Sequence, residues 1–157
     1  MKKLAVVIAV AALALAAPLM VPAADHGKGG MKHGGHADHG TAAHEEVVDG
    51  VKVTFKVMSM AEHMKAMNMD LPKGMKETHH IAVEFKDAKT GKAITEGEVN
   101  LKVQGPDKTA QTKALMAMQG HFGADFNLSQ KGKYGVMSKF KVKDGTVRSA
   151  RFWYDVK

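Results

Sequence analysis

From about Glu46 onward, apolar and polar residues alternate with a period of two. Val51, Val53, Phe55 and Val57 share one face, and Lys52, Thr54 and Lys56 share the other. A strand shows its successive side chains to opposite sides, so this pattern predicts half-buried strands. It recurs at Ile81, Val83 and Phe85, then at Val99, Leu101 and Val103, and more weakly at Ala114, Met116 and Met118. Phe122, Ala124 and Phe126 follow, then Tyr134, Val136, Ser138, Phe140 and Val142, and finally Ala150, Phe152, Tyr154 and Val156. Turn signals separate the runs at Asp87 to Gly91, Gly105-Pro106-Asp107, Gly120, Lys131-Gly132 and Asp144-Gly145. About seven short antiparallel strands in one domain predict an all-β sandwich of immunoglobulin-like architecture. Tyr134, opening the penultimate strand, stands where such a fold places its tyrosine corner.

The pattern changes once. Ser59-Met60-Ala61-Glu62 has the form of a capping box, and Met60, His63, Met64 and Met67 then fall at helical spacing. A short helix over 59–71 is expected, ended by Leu71-Pro72 and Lys73-Gly74 and lying across one end of the sandwich.

Before the alternation begins, the chain reads differently. Lys2 and Lys3 precede an uncharged apolar run from Leu4 to Ala17, and Val21-Pro22-Ala23 supplies small residues for a cut. Residues 1–23 therefore read as a secretory signal peptide, the apolar run being short for a membrane span, with an uncleaved anchor as the alternative. No stable span is expected after cleavage, and the destination is a periplasm or the exterior. Residues 24–45 are rich in Gly and His and nearly free of large apolar side chains. Such a tract cannot bury enough surface to offset its ordering entropy, so a disordered tail is expected. Residues 46–157 form the one domain.

The net charge of +7 falls to +5 when Lys2 and Lys3 leave with the leader. The remaining lysines are spread along strand faces. No basic patch interleaved with aromatics points to nucleic acid. There is no cysteine. Disulfides, thiolate nucleophiles and a blue-copper site are thereby excluded, and the domain must hold together by its core. No G-x-S-x-G, H-E-x-x-H or paired-carboxylate setting is present, so an enzyme is not expected.

What the chain does carry is methionine and histidine. Met58, Met60, His63, Met64, Met67, His79 and His80 cluster in one stretch, and Met116, Met118 and His121 in another. Thioether sulfur selects Cu(I), and imidazole suits copper in both oxidation states. Met58 falls on the lysine-bearing face of its strand, away from Val53, Phe55 and Val57, where packing does not account for it. Alternation turns His79 toward the core with Ile81 and His80 outward to solvent. Met116 and Met118 share a strand face, and Gly120 lets His121 turn back toward them. In the tail, His26, His33, His36 and His39 are further metal candidates, with His44 at its end. A cut after Ala23 would leave Ala24-Asp25-His26, whose amine, amides and imidazole form a square-planar nitrogen set for Cu(II) or Ni(II). The bland reading stands beside this one: Met60, Met64, Met67 and Leu71 make an apolar helix seam, since methionine fills irregular gaps well.

Two stretches carry a resemblance. THHIAVEFKDAKTGKAITEGEVNLKVQGPDK has a strand, an Asp87-to-Lys92 turn with Thr90-Gly91-Lys92, and a strand ending in Gly105-Pro106-Asp107. ALMAMQGHFGADFNLSQKGKYGVMSKFKV adds a Met-rich strand, Gly120-His121-Phe122 and Gly132-Lys133-Tyr134. Over roughly residues 78–156 the chain resembles the YtkA-like family of exported immunoglobulin-like domains, similar in architecture to CopC-like copper carriers. The resemblance implies the sandwich and a link to copper handling or oxidase assembly. It carries over no ligand set.

The leading expectation is a periplasmic protein that holds Cu(I) through Met and His at one end of the sandwich, with Cu(II) on the tail. It would buffer copper or deliver it to an oxidase-assembly or copper-efflux protein of the envelope. Two alternatives stay open. One is an interaction module whose methionines are core and adaptable interface. The other is a Ni(II), Zn(II) or Cu(II) sink that uses the tail alone.

Overall fold

The computed structural model describes residues 41–157. The leader and the tail histidines His26, His33, His36 and His39 lie outside the described residues. Among the described residues the strands are β1 (Ala42–Val48), β2 (Val51–Ser59), β3 (His79–Asp87), β4 (Ala93–Ile94) and β5 (Gly97–Gln104), followed by β6 (Ala110–Ala114), β7 (Met116–Met118), β8 (His121–Phe126), β9 (Gly132–Val142) and β10 (Val147–Val156). One helix, α1 (Met60–Ala66), interrupts them.

The strands form two antiparallel sheets. The first runs β1-β2-β3-β8-β7, with β4 paired to β3; the second runs β10-β9-β5-β6. The residues read as the inner faces build one core. Phe55, Phe85, Phe126, Phe140, Ile81 and Leu101 are fully buried, and Val53, Val83, Val103 and Val136 pack with them. Each aromatic of this kind contributes roughly 1.5–3 kcal/mol by leaving water, so the core supplies the stability that disulfides do not. The fold is the immunoglobulin-like sandwich that the alternation predicts.

Local chemistry closes the ends. Tyr134 donates its hydroxyl to the Gln130 carbonyl at 2.9 Å and accepts from the Gln130 amide at 3.1 Å, forming the corner expected of it. Arg148 is buried on the inner side of β10. Its guanidinium grips both carboxylate oxygens of Asp144 at 2.9 and 2.6 Å, and donates to the Asp49 carbonyl at 3.1 Å. It thus ties the β9–β10 hairpin to the β1–β2 turn across the two sheets.

Four sequence expectations need correction. The first strand starts at Ala42, inside the tract read as tail, and His44 stacks on Phe152 with ring centroids 5.1 Å apart. The stretch read as one weak strand through Ala114, Met116 and Met118 is two strands on different sheets. β6 pairs with β5, buried Leu115 carries the chain across, and β7 pairs with β8. The helix is shorter than 59–71, ending at Ala66. Its start is as read: the Ser59 side chain accepts from the Glu62 amide, and the Ser59 amide donates to Glu62. Finally, His80 does not face solvent, as described next.

Candidate metal site on the outer face of the first sheet

Register decides which side chains meet. Across β2, β3 and β8 the pairs are Met58 with His80 and His80 with Asp125. The next row pairs Ala82 with Gly123, and Gly123 with Met116; beyond it, His121 pairs with Met118. All of these residues alternate with core residues, so they share the outer face of the first sheet. Directly paired residues have Cβ atoms roughly 4.5–5.5 Å apart. One sheet face therefore gathers Met58, His80, His121, Asp125, Met116 and Met118.

Helix α1 covers the end of that face. Met60, His63 and Met64 turn inward and are buried, while Met67 at its C-terminal cap is partly exposed. This cover is why Met58 and His80, on the nominally solvent side, are only 6% and 1% exposed. The sequence correctly assigned both to the outer face; it did not show that a helix would lie over them.

His80 is held from three directions. Its Nδ1 donates to Asp125 Oδ1 at 2.7 Å. Its ring stacks on His63, with centroids 3.7 Å apart and planes within 4°. His121 meets it edge-on at 6.2 Å. The bond to Asp125 places a proton on Nδ1 and fixes the ring's orientation, the carboxylate–histidine arrangement that orients metal-binding imidazoles. Nε2 points over Gly123. A Cβ at that position would lie 2.6 Å from Nε2 and 3.6 Å from the His121 ring, so only glycine leaves room there.

Among the described residues, His63, His80 and Asp125 can each bring a donor atom within 4.8 Å of the others. Asp125 is shifted below the ordinary carboxylate range. The His80 hydrogen bond is the main cause, with His80, His63 and Lys113 adding favourable charge against the opposing effect of partial burial. Lys113 also donates to the Asp125 backbone carbonyl at 2.7 Å. The arrangement offers nitrogen and oxygen donors on the Asp125 side of His80. On the Gly123 side it offers imidazole nitrogen beside the thioether-bearing positions of β7.

The remaining sequence candidates fall elsewhere. His79 faces the inner side as read, half-buried with its ring edge-on to Tyr154 at 6.3 Å, and its Nδ1 bonds Thr78 Oγ1 at 2.8 Å. Burial lowers its pKa, against a smaller opposing pull from Glu62. It is not in the cluster. Met67 sits at the rim; Met116 belongs to the gathered face but is 70% exposed, on the edge strand. Asp125 was missed from the sequence, although a signal was present: with Phe122, Ala124 and Phe126 facing inward, His121, Gly123 and Asp125 must share the outer face.

A sandwich of two antiparallel sheets with a helix laid on one outer face is an immunoglobulin-like domain. No family model matches the chain, and no curated protein matches it in sequence. Its fold is similar to that of FetP from uropathogenic Escherichia coli, expressed in the periplasm, at a TM-score of 0.56 and 13% identity over 73% of this chain and 93% of that one. A copper-bound variant of the same FetP aligns at 0.57 and 12%, over 74% and 90%. A DUF4426 family protein from Pseudomonas aeruginosa aligns at 0.55 and 14%, over 72% and 96%. At such identities the likeness is one of fold. Among the described residues no helix is long and apolar enough to cross a membrane.

Proposed function

We propose that this chain is an exported copper-binding protein, with its site on the outer face of the first sheet beneath α1. The observation that carries the reading is the convergence on His80. His63 stacks on it, Asp125 fixes its orientation, His121 stands edge-on, and the register sets Met58 beside it and Met118 beside His121. Three of these positions bear imidazole and three thioether once Met116 is included, a soft donor set that favours Cu(I). Asp125 orients His80 and supplies an oxygen for an ion in the harder Cu(II) state. A likeness in fold to a protein with a copper-bound structure is consistent with this reading.

The leader places the protein outside the cytoplasm. The protein acts as a carrier or buffer rather than an enzyme. Its recipients are envelope proteins of oxidase assembly or copper efflux, as the YtkA-like resemblance implies. The tail histidines add a separate capacity for Cu(II).

The test is anaerobic Cu(I) competition against a chromophoric chelator. It uses the full mature chain with His26, His33, His36 and His39 replaced by Ala, so that only the domain site remains. One tightly held Cu(I), weakened in Met116→Leu/Met118→Leu and lost in His80→Ala, supports the reading. Binding that disappears with the tail histidines would leave the tail-only sink as the better account.

A further inference from the structure

The outer face of the second sheet, on the far side of the sandwich from the histidine cluster, has its own pattern. Register sets Lys102, Met137 and Arg151 in one row across β5, β9 and β10. The row on one side is Gln104, Gly135 and Trp153, and on the other Asn100, Lys139 and Ser149. These rows contain three cations and no carboxylate; the carboxylate that lines the larger hollow beside them, Glu46, lies 3.4 Å from His44. Lys141 and Lys143 find Glu98 and Glu96, but among the described residues no ion pair holds Lys102, Lys139 or Arg151.

Trp153 is 70% exposed, yet it is not loose. Its indole lies across Gly135, where a Cβ would come within 3.1 Å of Cζ3. A large aromatic is thus held at a fixed place on the surface, and the glycine beneath it is what permits this. Two hollows flank the centre, of about 730 and 410 Å³, and both are lined by Met137 and Arg151. Tryptophan and arginine are the residues most enriched among those that dominate binding energy, and methionine is enriched at interfaces.

We infer that this face docks an acidic, extended segment of another protein, its carboxylates meeting Lys102, Lys139 and Arg151 and an apolar side chain resting on Met137 against Trp153. Charge complementarity selects the acidic partner. The concave form, with an apolar floor between the cations, fits a peptide better than a flat bilayer. Three cations are also too few to hold a domain stably at an anionic membrane. Because this face is opposite the histidine cluster, docking leaves that cluster uncovered. The inference does not depend on copper.

The experiment uses the full mature chain, without metal, and a fluorescent peptide of alternating Glu and Leu. A matched Lys/Leu peptide and vesicles rich in anionic lipid serve as comparisons. Saturable binding of the acidic peptide is expected, weakening with salt. It should fall about tenfold or more in Trp153→Ala and in Arg151→Glu, and stay unchanged in Lys143→Glu, a charge reversal far from the hollow. Both exposed substitutions should leave the thermal midpoint in place. Acidic-peptide binding that ignores Trp153 and Arg151, or binding to vesicles but not to the peptide, would overturn the inference.

Discussion

Gly123→Ala probes the geometry around His80 most sharply. The added methyl carbon would stand 2.6 Å from His80 Nε2 and 2.7 Å from Cε1, well inside contact distance. The ring cannot easily step aside: Asp125 holds its Nδ1 at 2.7 Å and His63 is stacked on its face. Overpacking of this kind costs about 1–3 kcal/mol. For a domain of this size that lowers the thermal midpoint by about 4–12 °C. The same strain must displace Nε2, so Cu(I) affinity should fall as well. Removing the ring removes the clash, and a double-mutant cycle isolates it. Gly123→Ala placed on a His80→Ala background should cost little, giving a coupling of about 1–3 kcal/mol between the two positions. The assay is urea unfolding of wild type, both single variants and the double variant. Effects that add within about 0.5 kcal/mol would show that His80 does not lie over Gly123, and the site as described would fall with it.

Other predictions follow from the same structure. Arg148 holds the Asp144 carboxyl down to about 2. A depressed carboxyl stabilises the fold above its unfolded value near 4 and loses that contribution as pH falls through its folded value. Wild type should therefore be more stable than Asp144→Asn at pH 5, with the gap closing as pH falls from about 4 to 2; denaturant midpoints that differ equally at both ends would contradict this. Tyr134→Phe deletes the bond to the Gln130 carbonyl and should cost about 0.5–1.5 kcal/mol in unfolding experiments, without changing metal binding. Ser59→Ala removes the cap of α1 and should cost roughly 1 kcal/mol. Hydrogen exchange should then show faster opening of α1 over Met58 and His80, with the β9 and β10 amides unaffected.

The sheets were readable because their inner faces are apolar. Phe55, Ile81, Leu101, Phe126 and Phe140 mark the period plainly, and Ser59 with Glu62 marks the helix start in four letters. β1 was partly hidden because its inward positions are His44, Glu46 and Val48, and two polar residues out of three break the apolar signal. The stretch through Ala114, Met116 and Met118 was misread for a related reason. A chain that crosses between sheets shifts which side faces the core, and the side-chain alternation of a strand does not record the crossing. The site was legible residue by residue and not as a site. Asp125 and His80 are 45 residues apart and meet only through the β3–β8 register. His80 looked solvent-facing because alternation assigns a face but says nothing about a helix that later covers it. His79, its neighbour in sequence, turned away for the same geometric reason that brought His80 in.

The central claim is that one copper ion sits among thioether and imidazole on the outer face of the first sheet. X-ray absorption at the copper edge tests it most directly, on the full mature chain loaded anaerobically with one equivalent of Cu(I) and with the tail histidines replaced by Ala. The account predicts a shell containing both sulfur and nitrogen, with the sulfur lost in Met58→Leu/Met116→Leu/Met118→Leu and the nitrogen reduced in His80→Ala. A shell of nitrogen and oxygen alone, unchanged by those substitutions, would contradict it.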